Sequence, residues 1–240
     1  KVIAGVAKKS RVISEPERKL TAYHEAGHAV CAHVLDHVSP VHQVTIVPRG
    51  RAGGFTMQLP VEDKFYATKN EMKENLIVLL GGRVAEELTL DDISTGASND
   101  LERVASTARQ MVTKYGMSTK LGPMAFGDSE EEVFLGNSIG NKRNYSEEVA
   151  SEIDQEIRSI VDTAYKKTRT LLNDNMDRLE YVAQALLIYE TLDAEQFIKA
   201  FNKELDLTPK QETAATETEE VIEVKESQTE DTIDDNKDNE

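Results

Sequence analysis

The sequence predicts a mainly α fold with a small β-sheet. Apolar residues recur at helical spacing in long stretches, β-rich runs are confined to residues 41–58, and no run of roughly 18 apolar residues exists that would cross a membrane. The first helix starts at Ser14, where S-E-P-E supplies an N-cap, a Pro in the first turn and a capping-box Glu17. It should run to about residue 36, with Pro40 enforcing the stop. V-H-Q-V-T-I-V and G-G-F-T-M-Q-L, separated by P-R-G-R-A-G-G, predict a hairpin or a pair of short strands over 41–58. A second helix is expected over about 68–88, with Met72, Leu76, Leu79, Leu80 and Val84 on its apolar face. Its most apolar run, L-I-V-L-L, is cut short by Gly81, Gly82 and Arg83. After the turn-rich T-L-D-D-I-S-T-G-A-S-N, a third helix covers about 99–115 and ends at Gly116, a favoured residue just past a helix C-terminus. Residues 121–127 read as a connector or short strand and 128–144 as an exposed loop. A C-terminal helical pair, about 146–174 and 176–203, closes the fold, with Ile153, Ile157, Ile160, Val161 and Tyr165 as one stripe.

Charge divides the chain. The formal net charge is −16, and residues 207–240 hold 12 Asp and Glu against three Lys. That segment has no aromatic residue and too little apolar surface to offset its ordering entropy, so a disordered acidic tail is expected there. The overall charge argues against a nucleic-acid partner, since phosphate contacts need clustered Lys and Arg. Cys31, the single cysteine, leaves no internal disulfide and fits a reducing compartment. K-V-I-A-G-V-A-K-K-S has neither an initiator Met nor the apolar core of a signal peptide, and reads as the cut end of a longer protein.

The chemistry concentrates in T-A-Y-H-E-A-G-H-A-V-C-A-H-V-L-D-H, which holds four of the five histidines. H-E-A-G-H fits HExxH, where two His at i and i+4 bind one zinc from one helical face and the Glu activates its water. At about 100° per residue, with His24 at 0°, His28 falls near 40°, whereas His33 and His37 fall near 180° and 220°. The second pair therefore faces away and reads as polar positions on a half-exposed helix end. Cys31 falls near −20° on the ligand face, but free cysteine is commonly a small buried residue. Ala26 and Gly27 are small enough for another segment to approach the helix closely.

A catalytic zinc takes three protein ligands and a water. The metzincin pattern needs Gly at 31 and His at 34, where this chain has Cys31 and Val34, so that class is excluded. Glu62 is the first Glu beyond the motif, in a loop-like segment. Glu86 and Glu87, near the end of an apolar helix, and Asp100, in the first turn of the next helix, are better candidates. Asp100 has an alternative reading as a helix cap. Residue chemistry leaves these open, because each supplies an anionic oxygen.

K-L-T-A-Y-H-E-A-G-H-A, G-G-F-T-M-Q-L-P, L-L-G-G-R-V-A-E-E-L, S-T-G-A-S-N-D-L and L-G-P-M-A-F-G, in this order, closely resemble the proteolytic domain of the FtsH-type AAA+ zinc metalloproteases over residues 1–203. The resemblance implies one Zn²⁺ held by His24, His28 and Asp100, with Glu25 as general base and Glu86 orienting a ligand histidine. It also implies that Gly53, Gly54, Phe55, Thr56 and Met57 form an edge strand that pairs with substrate backbone. On this reading residues 1–13 are a linker from an ATPase domain, 14–206 the zinc peptidase domain and 207–240 the tail. No G-x-x-x-x-G-K-[ST] occurs, so ATP and Mg²⁺ would belong to that further domain, and membrane attachment to segments before it. The family further implies a homo-hexamer acting on unfolded polypeptides at the cytoplasmic face of the cell membrane. The alternative is a non-catalytic hexamerisation scaffold.

Overall fold

A computed structural model describes residues 13–48, 53–62, 64–127 and 145–208. Helix α1 (Glu15–Val34) begins as its sequence dictates: Glu17 N donates to Ser14 Oγ at 3.4 Å, Pro16 occupies the first turn, and Glu15 and Glu17 meet the positive end of the helix dipole. It stops before Pro40 is reached, with Leu35 already extended. The Glu74 carboxylate explains the early stop, accepting both the His37 backbone N–H (2.7 Å) and His37 Nδ1 (2.8 Å) and so drawing the chain off the helix axis.

Strand β1 (Val41–Thr45) pairs antiparallel with β2 (Phe55–Gln58), Val44 opposite Thr56 and Thr45 opposite Phe55. Helix α2 (Lys69–Leu90), capped by Thr68, then crosses α1 at very short range. A Cβ placed on Gly27 would stand 2.4 Å from Gly81 O, and one on Gly81 would stand 2.7 Å from Gly27 O. Two glycines facing each other are what let these backbones touch. Helix α3 (Ser98–Thr113) follows a 3₁₀ turn at Thr95–Ala97 and packs on α2. Gly116, at φ +57°, reverses the chain so that Met117 N–H can donate to Met111 O at 2.8 Å. Among residues 121–127 no strand forms.

Helix α4 (Glu147–Asp174) is capped by Ser146 and lies against α2 and α3. Glu87 ties α2 to α4 by accepting hydrogen bonds from Tyr165 and Arg169. Beyond Asn175 the expected single helix over 176–203 is divided into α5 (Met176–Tyr189), β3 (Thr191–Asp193) and α6 (Ala194–Phe201). Two local preferences and one distant contact explain the break. Glu190 takes the left-handed conformation (φ 58°), Thr191 shares a 2.6 Å hydrogen bond with Thr45, and Asp193 with Gln196 forms a full capping box. Strand β3 adds to the far edge of β1, giving the order β2-β1-β3 and leaving β2 at an edge.

The core gathers Val30, Leu76, Val84, Met111, Leu172, Leu179, Leu186 and Phe197, so every helix contributes. All these elements fall in one compact unit. Most of the expected linker, the loop 128–144 and the tail from residue 209 lie outside the described residues. No helix among the described residues is long and apolar enough to cross a membrane.

Candidate metal centre

His24 and His28 lie one turn apart on the buried middle of α1, and their Nε2 atoms are 3.1 Å from each other. Asp100, in the first turn of α3, brings Oδ2 to 3.6 Å from His24 Nε2 and 3.4 Å from His28 Nε2. A tetrahedral zinc with bonds of about 2.0–2.1 Å spaces its ligand atoms ~3.3–3.4 Å apart, so this triangle is the size of one face of such a site. Among the described residues these three form the group able to hold a metal ion.

The imidazoles are set by what lies behind them. His28 Nδ1 donates to Val78 O at 2.7 Å and His24 Nδ1 to Glu86 Oε1 at 2.6 Å. Each Nδ1 thus carries a ring proton, and both Nε2 atoms face one another and Asp100, where a cation, a proton or a metal ion, is favoured. Glu86 has no exposed surface and is itself held, accepting the Ser94 backbone N–H (2.7 Å) and the Ser94 hydroxyl (3.0 Å). Burial works against a charged His24, but hydrogen bonding to Asp100 and Glu86 outweighs it and lifts its pKa to about 10. Burial likewise opposes ionised Asp100, yet the two histidines hold its carboxyl well below the usual range. Field and geometry both favour positive charge at this point. The residues fit zinc in number, atom type and spacing.

Gly82 leaves the room. A Cβ there would stand 2.6 Å from His24 Nε2 and from His28 Nε2, so any side chain at 82 would fill the place the ligand atoms face. Periodicity alone did not single out Gly82, nor Ser94 and the Val78 carbonyl. The signal for Gly82 was a Gly pair inside a helix, a costly choice that a close approach explains.

Glu25 is buried beside the two histidines, and Thr56 Oγ1 donates to its Oε2 at 2.8 Å. Burial pushes the Glu25 carboxyl above its ordinary range. A cleft of about 1070 Å³ opens over this group, with Gly53, Gly54, Phe55, Thr56 and Met57 on one side and α2 and α3 on the other. The remaining candidates lie elsewhere. Glu87 turns to Tyr165 and Arg169, and Glu62 is exposed between β2 and α2. Cys31 is fully buried, its thiol pushed up by burial, and is not part of the metal-binding group. His33 packs edge-on against Phe197 and Phe201, away from the cleft.

The arrangement could hold a metal ion beside a buried carboxylate, and comparison with known proteins shows the family. The profile of peptidase family M41 matches residues 11–200. The chain belongs to this family. The matched span of this M41 peptidase takes in α1, the β1–β2 pair, α2 and α3, and so every element of the candidate metal centre. The chain is 68% identical over 205 residues to ATP-dependent zinc metalloprotease FtsH 2 of Alkaliphilus metalliredigens, 85% of this chain and 30% of that protein. It is 60% identical over 204 residues to ATP-dependent zinc metalloprotease FtsH 1 of Thermoanaerobacter sp., covering 85% and 33%. Against ATP-dependent zinc metalloprotease FtsH of Bacillus subtilis the identity is 54% over 197 residues, covering 82% and 31%. The chain thus spans about a third of the length of these relatives.

Proposed function

We propose that the chain is the zinc endopeptidase module of a longer ATP-dependent protease, with His24, His28 and Asp100 holding the metal. The observation that carries this reading is the convergence of His24 Nε2, His28 Nε2 and Asp100 Oδ2 beside the buried Glu25. When bound, zinc would lower the pKa of a water toward neutrality and polarise the peptide carbonyl. Glu25 accepts a proton from the attacking water on a carboxylate oxygen and returns it to the leaving amine nitrogen. Its burial and its place next to His24 suit a base that must hold a proton only briefly. Glu86 keeps the His24 ring turned so that Nε2 faces His28 Nε2 and Asp100, where the metal would be held, and the Val78 carbonyl does the same for His28.

Extended polypeptide is the substrate class, received by the edge of β2 across the cleft with Gly53, Gly54, Phe55, Thr56 and Met57 along it. ATP and Mg²⁺ would act in another domain of the parent protein, a reading supported by the relatives' names. A homo-hexamer at the cytoplasmic face of the membrane, acting on unfolded proteins, rests on the family resemblance alone. A pure scaffold role would leave the paired Nε2 atoms and the glycine beneath them without a purpose.

Glu25→Gln tests the assignment. The variant should bind one zinc per chain, by elemental analysis, and show no measurable hydrolysis of an unstructured peptide. Hydrolysis at the wild-type rate would remove Glu25 from the mechanism.

A further inference from the structure

Glu25 must present an oxygen to water in one direction, although a glutamate side chain turns freely about three bonds. Among the described residues, the side chain that hydrogen-bonds its carboxylate is Thr56, whose Oγ1 lies 2.8 Å from Oε2 and 3.2 Å from the Glu25 carbonyl oxygen. That leaves Oε1 with its acceptor capacity unused by Thr56. Thr56 is itself held by the β1–β2 pairing, directly opposite Val44. Gly54 lets the strand come this close, because a Cβ there would stand 2.6 Å from Thr45 O and 2.9 Å from Glu25 Cγ.

We propose that Thr56 is a positioning residue, its hydroxyl fixing the Glu25 carboxylate to strand β2, so that general base and docked peptide share one frame. This rests on the proposed role of Glu25 and goes beyond it. Thr56 then serves twice: its backbone belongs to the strand that receives the peptide, and its hydroxyl aims the base. Reaction rates depend steeply on such alignment, and roughly ångström-sized misplacement can cost about a hundredfold.

Thr56→Val and Thr56→Ser separate the hydroxyl from the strand. Valine keeps the β-branched shape and the strand preference but not the O–H donor, whereas serine keeps the donor. With the zinc-loaded chain and an unstructured fluorogenic peptide, T56V should lower kcat roughly ten- to hundredfold. KM should stay within about twofold and zinc content at wild-type level, while T56S should recover most of the loss. Crystal structures of the zinc-loaded wild type and T56V give a readout independent of turnover: the Glu25 carboxylate should leave its place or take several orientations in T56V. An unmoved carboxylate, an unchanged kcat, or a raised KM at constant kcat would each overturn the proposal. E25Q, assayed in parallel, tells the two failures apart. An active E25Q removes the base assignment itself; an inactive E25Q with wild-type T56V removes only the role of Thr56.

Discussion

At the scale of single residues, the centre depends as much on groups that touch no metal as on those that would. Glu86 is the clearest case. It sits near the C-terminal end of α2, wholly buried, a place where an unpaired carboxylate would be costly. Its charge is accounted for on every side, by His24 Nδ1 and by the backbone and hydroxyl of Ser94. Burial would raise its pKa, but these hydrogen bonds, that of His24 foremost, hold it below the ordinary value. Glu86→Gln keeps the shape and removes the charge behind His24. Zinc affinity, read by competition with a chromophoric chelator, should fall about 10–100-fold while the circular dichroism spectrum stays that of the wild type. Residue chemistry alone could not separate Glu86 from its neighbour Glu87. Their side chains leave α2 about 100° apart, one into the site and the other onto α4, and only the packing of α2 decides which is which.

At the scale of elements, the decisive contact is the crossing of α1 and α2. The H-E-A-G-H face needs a neighbour that comes close enough to place Gly82 under both imidazoles, and Gly27 against Gly81 supplies it. Gly27→Ala would drive a methyl into the Gly81 carbonyl and spread the helices. The variant should lose about 1–3 kcal/mol in urea unfolding, together with weakened zinc binding, because α2 carries both Glu86 and Val78. The helices were legible from periodicity and the start of α1 from its cap, Ser14; Thr68 and Ser146 cap α2 and α4 in the structure. Two features were not legible. The third strand is only three residues long and gains its meaning from pairing with β1, more than a hundred residues earlier. The early end of α1 depends on Glu74, which belongs to another helix. Helical periodicity carries no information about such distant partners.

At the scale of the whole molecule, a metal in this centre would join α1 to α3, whose contributing residues His28 and Asp100 are 72 positions apart. A ligand that binds only the folded state stabilises it, by about 2.7 kcal/mol at a hundred times its Kd. For a domain of this size that corresponds to roughly 5–10 °C in Tm. Removing zinc with a chelator should therefore lower the melting temperature of the wild type by about this amount, followed by calorimetry. Asp100→Ala, missing one arm of the clamp, should melt near the chelated wild type and respond little to the chelator. An equal chelator response in both proteins would place the metal elsewhere.

The sequence by itself determined what local rules govern. The pair His24 and His28 with Glu25 follows from the 3.6-residue turn, the exclusion of His33 and His37 from the same arithmetic, and the start of α1 from capping chemistry. What brings Asp100 to that pair, puts Glu86 rather than Glu87 behind His24, and hangs the Glu25 carboxylate from Thr56 is tertiary structure alone. The physical reason is range. A backbone period relates side chains a few turns apart, whereas these contacts join separate elements, which meet closely where Gly27 faces Gly81 and where Gly54 faces Glu25.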